Sequence, residues 1–199
     1  MNFLAHIYLS NNLPNVTIGN FIADGIRGKQ YKEYPKEIQI GILLHREIDT
    51  FTDAHPVVRK STKKLHENYS HYSGVIVDIL YDHFLAKNWT KYSKVPLEEY
   101  AQNFYDLLEV NYEILPPRTR RILPYMIANN LLVIYAEIDG IQRVLDGMNQ
   151  RTKNKSKMNE ATRELVEYYD EFEAEFTLFF EDLRVFAAEK LKTITNTIT

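Results

Sequence analysis

The chain has 199 residues, 45% hydrophobic and 26% charged, with a net charge of −3. Those are values of a globular domain, and the slight acidity gives no general attraction to nucleic acid or to an anionic membrane, so neither is expected as a partner. There is no cysteine, which excludes disulfides, zinc–thiolate centres and a thiol nucleophile.

The apolar periodicity is helical nearly throughout. A short apolar segment covers 2–9. No apolar run approaches the roughly 18 residues of a spanning helix. MNFLAHIYLS also lacks the basic start and cleavage site of a signal peptide, so the expected location is cytoplasmic. A second helix is predicted over about 16–27, ending near Gly28. A third runs from about Pro35, a favoured first-turn residue, to about Phe51. His55-Pro56 breaks the chain, because a residue before proline avoids helical geometry, and Pro56 opens a fourth helix to about Asn68. A fifth covers about 72–89, with Val75, Ile76, Ile79, Leu80 and Phe84 on its apolar side. Pro96 opens a sixth, to about 113. Pro116-Pro117 breaks again, and 118–134 reads as a seventh, interrupted at Pro124. An eighth spans about 136–149. Arg151, Lys153, Lys155 and Lys157 mark a basic linker. A long helix over about 159–191 carries Tyr168, Phe172, Phe176, Phe179 and Phe180, and TITNTIT reads as a frayed tail. With no repeat and no alternating strand, the expectation is an all-α fold. It would be a single-domain bundle of about eight to nine helices over 1–192, followed by the tail 193–199.

All six histidines fall in the first 83 positions. Several sit beside carboxylates inside apolar helices, where both are costly to bury without a partner. His45 and Asp49 are four apart and share a helical face, with Asp53 one turn further. Asp78 and Asp82 are likewise four apart, and His83 projects about 100° round the axis from Asp82. With Asp24 these make a set of imidazoles and carboxylates on three apolar helices, good ligands for Mn, Fe, Mg or Zn. The competing reading of each pair is a local hydrogen bond that braces the core. His66 and His71 lie in a polar helix end and read as surface or capping residues. There is no dinucleotide fingerprint, phosphate-binding P-loop or nucleophile elbow. Basic clusters at Arg59, Lys60, Lys63, Lys64 and at Arg118, Arg120, Arg121 are either solvated helix faces or a stripe that steers an anionic partner. Arg46 and Arg27 either hold a phosphate oxygen or pair with a carboxylate.

Four ordered motifs, MNFLAH at the start, GNFIADGIRG at 19–28, GILLHREIDTFTDAHPVVRKS at 41–61 and DILYDHFLAKNW at 78–89, resemble the acyl carrier protein phosphodiesterases. The resemblance implies an all-helical fold distantly related to the HD-type metal phosphohydrolases. It implies a manganese-dependent hydrolysis that removes 4′-phosphopantetheine from holo acyl carrier protein. The motif positions are His6, Asp24, His45, Asp49, Asp53, His55, Asp78, Asp82 and His83. Asp82-His83 reverses the histidine–aspartate order of the HD dyad, and Arg27 stands where a lysine is common.

The expected mechanism is metal-assisted phosphodiester hydrolysis, with Mn²⁺ as the ion and Mg²⁺ or Fe²⁺ as alternatives. Asp24, His45, Asp82 and His83 are the leading ligands, with His6, Asp53 and His55 as supporting or alternative ones. Asp49 or Asp78 would orient a ligand or act as general base. Arg46 or Arg27 would hold phosphate oxygens. Acyl carrier proteins are acidic, so the stripe Arg59, Lys60, Lys63 and Lys64 is the first docking candidate. The alternatives are an HD-like phosphohydrolase of a small nucleotide or other diester, and a helical binding module without enzymatic activity.

Overall fold

The computed structural model describes residues 3–198. Regular structure among them is all helical: α1 (Phe3–Tyr8), α2 (Pro14–Ile22), α3 (Lys36–Ala54), α4 (Pro56–Tyr69), α5 (Ser73–Lys87), α6 (Leu97–Val110), α7 (Pro117–Ala128), α8 (Leu131–Ile134), α9 (Ile138–Arg151), α10 (Thr162–Glu167) and α11 (Tyr169–Ile198), joined by short 3₁₀ turns. Residue 2, where the first apolar segment was expected to begin, and Thr199 at the end of the expected tail lie outside the described residues.

Prolines mark the starts of several helices. Pro35 and Pro96 are extended residues directly before α3 and α6, and Pro56 and Pro117 occupy first turns, where a missing N–H costs nothing. His55 is extended between α3 and α4, as its position before proline requires.

Four boundaries differ from the sequence expectation. The second helix, expected to run to about 27, ends at Ile22 and is followed by a 3₁₀ turn over Ala23–Gly25. The seventh helix runs through Pro124 and stops at Asn129; Asn130, left-handed at φ 43°, separates it from α8. The long final helix is broken at Tyr168, between α10 and α11. The tail is helical through Ile198 rather than frayed at 193. There Ile194 and Ile198 pack on the core, and Thr193, Thr195 and Thr197 turn their hydroxyls back onto carbonyls four residues earlier, at 3.0, 2.7 and 2.9 Å.

α5 is the central helix, buried from Ile76 to Ala86 except at the half-buried Asp78. α11 lays Phe176 and Phe179 against it; these and the neighbouring Phe172 and Phe180 are fully buried, each contributing on the order of 1.5–3 kcal/mol. No helix among the described residues is long and apolar enough to cross a membrane.

α2 and α3 pack backbone against backbone. A Cβ on Gly19 would lie 2.2 Å from the Ile38 carbonyl oxygen, and one on Gly41 would lie 2.1 Å from that of Val16. Both obstacles are helix backbone and have nowhere to move. Gly41→Ala should therefore destabilise the protein by about 2–3 kcal/mol in urea titration. Gly147→Ala on α9, where an added Cβ meets nothing within 4 Å, should instead stabilise by up to about 1 kcal/mol. Equal effects at the two positions would show that the α2–α3 crossing is looser than described.

Candidate functional site

The crossing of α2 and α3 brings four ionisable side chains to one point. α1 supplies His6, the turn after α2 supplies Asp24, and α3 supplies His45 and Asp49, one turn apart. The two imidazole rings stack with centroids 4.0 Å apart and planes 17° from parallel. His6 Nε2 stands 3.2 Å from Asp49 Oδ1. His45 Nε2 stands 3.0 Å from Asp49 Oδ2 and 3.3 Å from Asp24 Oδ1. The histidines form a buried floor, 4% and 8% exposed, and the carboxylates a rim, 42% and 61% exposed.

Asn20 fixes both imidazoles. Its amide donates to the His6 carbonyl at 2.8 Å and to Ser10 Oγ at 3.0 Å, so its Oδ1 is the acceptor for His6 Nδ1–H at 2.8 Å. The Asn20 main-chain oxygen accepts from His45 Nδ1–H, also at 2.8 Å. With both Nδ1 atoms protonated, each neutral ring turns a bare Nε2 towards the carboxylates.

Burial, reinforced by the charge on His45, pushes His6 down to about 4. His6 Nε2 is thus a lone-pair atom facing another lone-pair atom on Asp49, buried and without a hydrogen bond. Burial also opposes a charge on His45, but its bonds to Asp24 and Asp49 outweigh that and raise it to about 9. Those contacts work reciprocally. The bond to His45 holds Asp24 below the ordinary carboxylate range. Burial pushes Asp49 up, yet its bond to His45 and its contact with His6 carry it well below that range. One proton on His45 thus occupies the place of a cation between two carboxylates.

The donor set fits a divalent ion in that place. One ligand atom each from His6, His45 and Asp49 lies within 4.8 Å of the others. Around one ion with bonds of about 2.0–2.2 Å, ligand atoms stand no more than roughly 4.4 Å apart, so a small contraction suffices. Each imidazole already has its Nδ1–H on a carbonyl oxygen, as metal-bound histidines usually do.

Other residues expected at the site lie elsewhere or do other work. Asp82 is fully buried on α5, and its two oxygens accept the Leu4 and Ala5 backbone N–H groups at 2.8 and 3.2 Å. It caps α1 instead of facing the cluster; burial, working against those two bonds, raises it to about 7. His83 is buried with both nitrogens engaged: Nδ1–H donates to the Tyr135 carbonyl and Nε2 accepts from the Tyr169 hydroxyl, each at 2.8 Å. Asp78 is half-buried; burial raises it, and the Asp49 and Asp53 charges push the same way. Asp53 is exposed at the end of α3. His55 sits between Phe51 and Phe179, with Nε2 3.3 Å from Asp182.

Arg46 does not point a free guanidinium at the cluster. It donates to the Ile26 carbonyl at 3.1 Å and covers the Tyr31 ring at 5.3 Å, bracing the loop after α2. Arg27 is exposed in that loop. Two of the four residues of the Arg59–Lys64 stripe are neutralised. Lys60 pairs with Glu175 at 3.0 Å, and Lys64 pairs with Glu175 at 2.6 Å and Glu171 at 2.9 Å. Arg59 donates to the Asp53 carbonyl, and Lys63 is exposed. Sequence reasoning passed over Asn20; its one signal was an amide inside the apolar run VTIGNFI.

Fold and site together define an all-helical protein built round a histidine–carboxylate cluster. The family model of acyl carrier protein phosphodiesterase matches residues 1–183. Acyl carrier protein phosphodiesterases from Enterobacter sp. and Klebsiella pneumoniae are each 31% identical over 191 residues, covering 96% of this chain and 99% of theirs. One from Escherichia coli is 30% identical over the same span. The chain belongs to the acyl carrier protein phosphodiesterase family, hydrolases of phosphodiester bonds. No solved structure matches it.

The two histidines give the metal-free protein opposed pH dependences. His45 binds its proton more tightly folded, at about 9, than at its ordinary 6.5. Its contribution is therefore complete below about pH 6.5 and is lost as the pH rises through about 9. His6, at about 4, works the other way and costs stability as the pH falls below its ordinary 6.5. Melting temperatures of chelator-treated protein should fall between about pH 6.5 and 9, and His45→Ala should flatten that alkaline limb. An alkaline limb unchanged in the variant would contradict the bridging proton.

Proposed function

We propose that this protein hydrolyses the phosphodiester that joins 4′-phosphopantetheine to the serine of a holo acyl carrier protein, releasing the apo carrier. The observation that carries the proposal is the bare, buried Nε2 of His6 turned towards Asp49, with its tautomer fixed by Asn20. A lone pair held in that position has a use when a cation stands beside it. Family membership supplies the reaction class and the carrier protein as substrate.

His6, His45 and Asp49 would hold the ion, with Asp24 beside them. Mn²⁺ is the proposed ion, with Mg²⁺ and Fe²⁺ as alternatives that the same nitrogen and oxygen donors accept. When bound, such an ion supplies Lewis acidity, polarising a phosphoryl oxygen and acidifying water. Asn20 keeps both imidazoles in the Nδ1–H form and so preserves their Nε2 lone pairs for the site. Asp24, the more exposed carboxylate beside the cluster, would take the proton of the attacking water. The water oxygen forms the new bond to phosphorus, the bond from phosphorus to the serine oxygen breaks, and that oxygen takes up a proton from solvent. Arg27, three residues after Asp24 in an exposed loop, is proposed to hold a phosphate oxygen. Asp82 and His83 act on the frame: Asp82 holds α1, and hence His6, in position.

Intact-mass spectrometry of holo carrier incubated with the protein and Mn²⁺ tests this. The carrier should lose the mass of phosphopantetheine. EDTA should abolish the loss, and His45→Ala should slow it by more than the roughly 10–100-fold typical of removing a ligand's hydrogen-bond partner. An unchanged carrier mass with metal bound would turn the reading towards a small phosphodiester. An unchanged mass with no metal bound would leave the cluster as a core brace.

A further inference from the structure

On α4, Lys60 and Lys64 are taken up by ion pairs, and the chain offers a second basic surface for the carrier. Beyond Asp24, the loop from α2 to α3 carries Arg27, Lys29 and Lys32 against one carboxylate, Glu33, over residues 25–35. Arg27, Lys29 and Lys32 are exposed and make no ion pair among the described residues. The loop is nevertheless held firmly. Arg46 braces Ile26 and Tyr31, Gln39 Nε2 donates to the Tyr34 carbonyl at 2.8 Å, and the Arg27 N–H donates to Gln30 Oε1 at 3.0 Å.

A second basic segment reaches the same place from ninety residues away. Pro116 packs on Gly25, its Cβ 3.9 Å from where a glycine Cβ would stand. That contact sets the first turn of α7 beside the loop. α7 buries Thr119, Leu123 and Met126 and turns Arg118, Arg121 and Tyr125 outward, at i, i+3 and i+7 on one face. Arg118 and Arg121 make no ion pair among the described residues, and Tyr125 is 54% exposed. Arginine and tyrosine are residue types on which protein interfaces draw for much of their binding energy.

We infer that the joint surface of the loop residues Lys29 and Lys32 and the α7 face Arg118, Arg121 and Tyr125 docks an acidic surface of the carrier protein, presenting its phosphodiester at Asp24. This rests on the reading of the carrier as substrate. It locates a concentrated positive field on a chain of net charge −3, beside the cluster and on two rigid elements. Complementary charge of this kind acts on encounter and KM more than on the chemical step.

The test compares wild type with K29E/K32E, R118E/R121E and the four-fold variant, with K63E on the α4 stripe as control. Fluorescence anisotropy with labelled carrier at low salt reads docking without requiring turnover. Steady-state KM for holo carrier and kcat/KM for bis(p-nitrophenyl) phosphate read catalysis. Each double reversal should weaken carrier binding and raise KM about ten-fold or more, 0.5 M salt should shrink the difference, and the small diester and K63E should be unaffected. Carrier binding that is unchanged in the four-fold variant, weakened as much by K63E, or absent from wild type would overturn the inference. If wild type binds the carrier through this surface yet leaves its mass unchanged, the docking inference stands and the proposed reaction fails.

Discussion

The site depends on how closely α2 and α3 approach, and two glycines set that distance. Gly19 and Gly41 bring one helix backbone against the other with no room for a Cβ on either side. Only at that separation does the Asn20 carbonyl, beside Gly19, reach Nδ1 of His45, one turn after Gly41. The same residue's side chain reaches back to Nδ1 of His6. Asn20 thus imposes one tautomer on two rings, and the consequence is electrostatic: two lone pairs meet two carboxylates. Such an assembly needs positive charge, which a proton on His45 supplies in part and which a divalent ion would supply more fully.

The cluster is completed by a helix too short to stand alone. α1 has six residues, far below the length at which a helix is stable in water. Asp82 supplies what it lacks, accepting two N–H groups that the helix itself leaves unpaired. A buried carboxylate with no positive partner would be costly; here the helix N-terminus offsets part of that cost, though burial still raises its pKa to about 7. An aspartate that looks like a ligand in sequence therefore serves the site at one remove.

The fold class was legible because the proline breaks and the 3.6-residue periodicity agree along the chain. The His45–Asp49 pair was legible for the same reason, since two residues four apart on one helix must share a face. Asp82 and His83 were not, because α5 is buried on all sides and its sequence pattern does not say which neighbour a polar residue meets. Asn20 was hidden because its function lies in bonds to residues on α1 and α3. The basic stripe on α4 looked free until α11, more than a hundred residues later, supplied Glu171 and Glu175. The threonine-rich end looked frayed because the apolar surface that receives Ile194 and Ile198 is tertiary.

Long-range ¹H–¹⁵N correlation spectra of the imidazoles, recorded on metal-free protein and then during Mn²⁺ titration, test the central claim most directly. The account predicts that His6 is neutral with its proton on Nδ1 and that His45 is protonated at neutral pH. It also predicts that substoichiometric Mn²⁺ broadens the signals of His6 and His45 before and more than that of His83. A proton on His6 Nε2, or broadening that strikes His83 before His6 and His45, would contradict it.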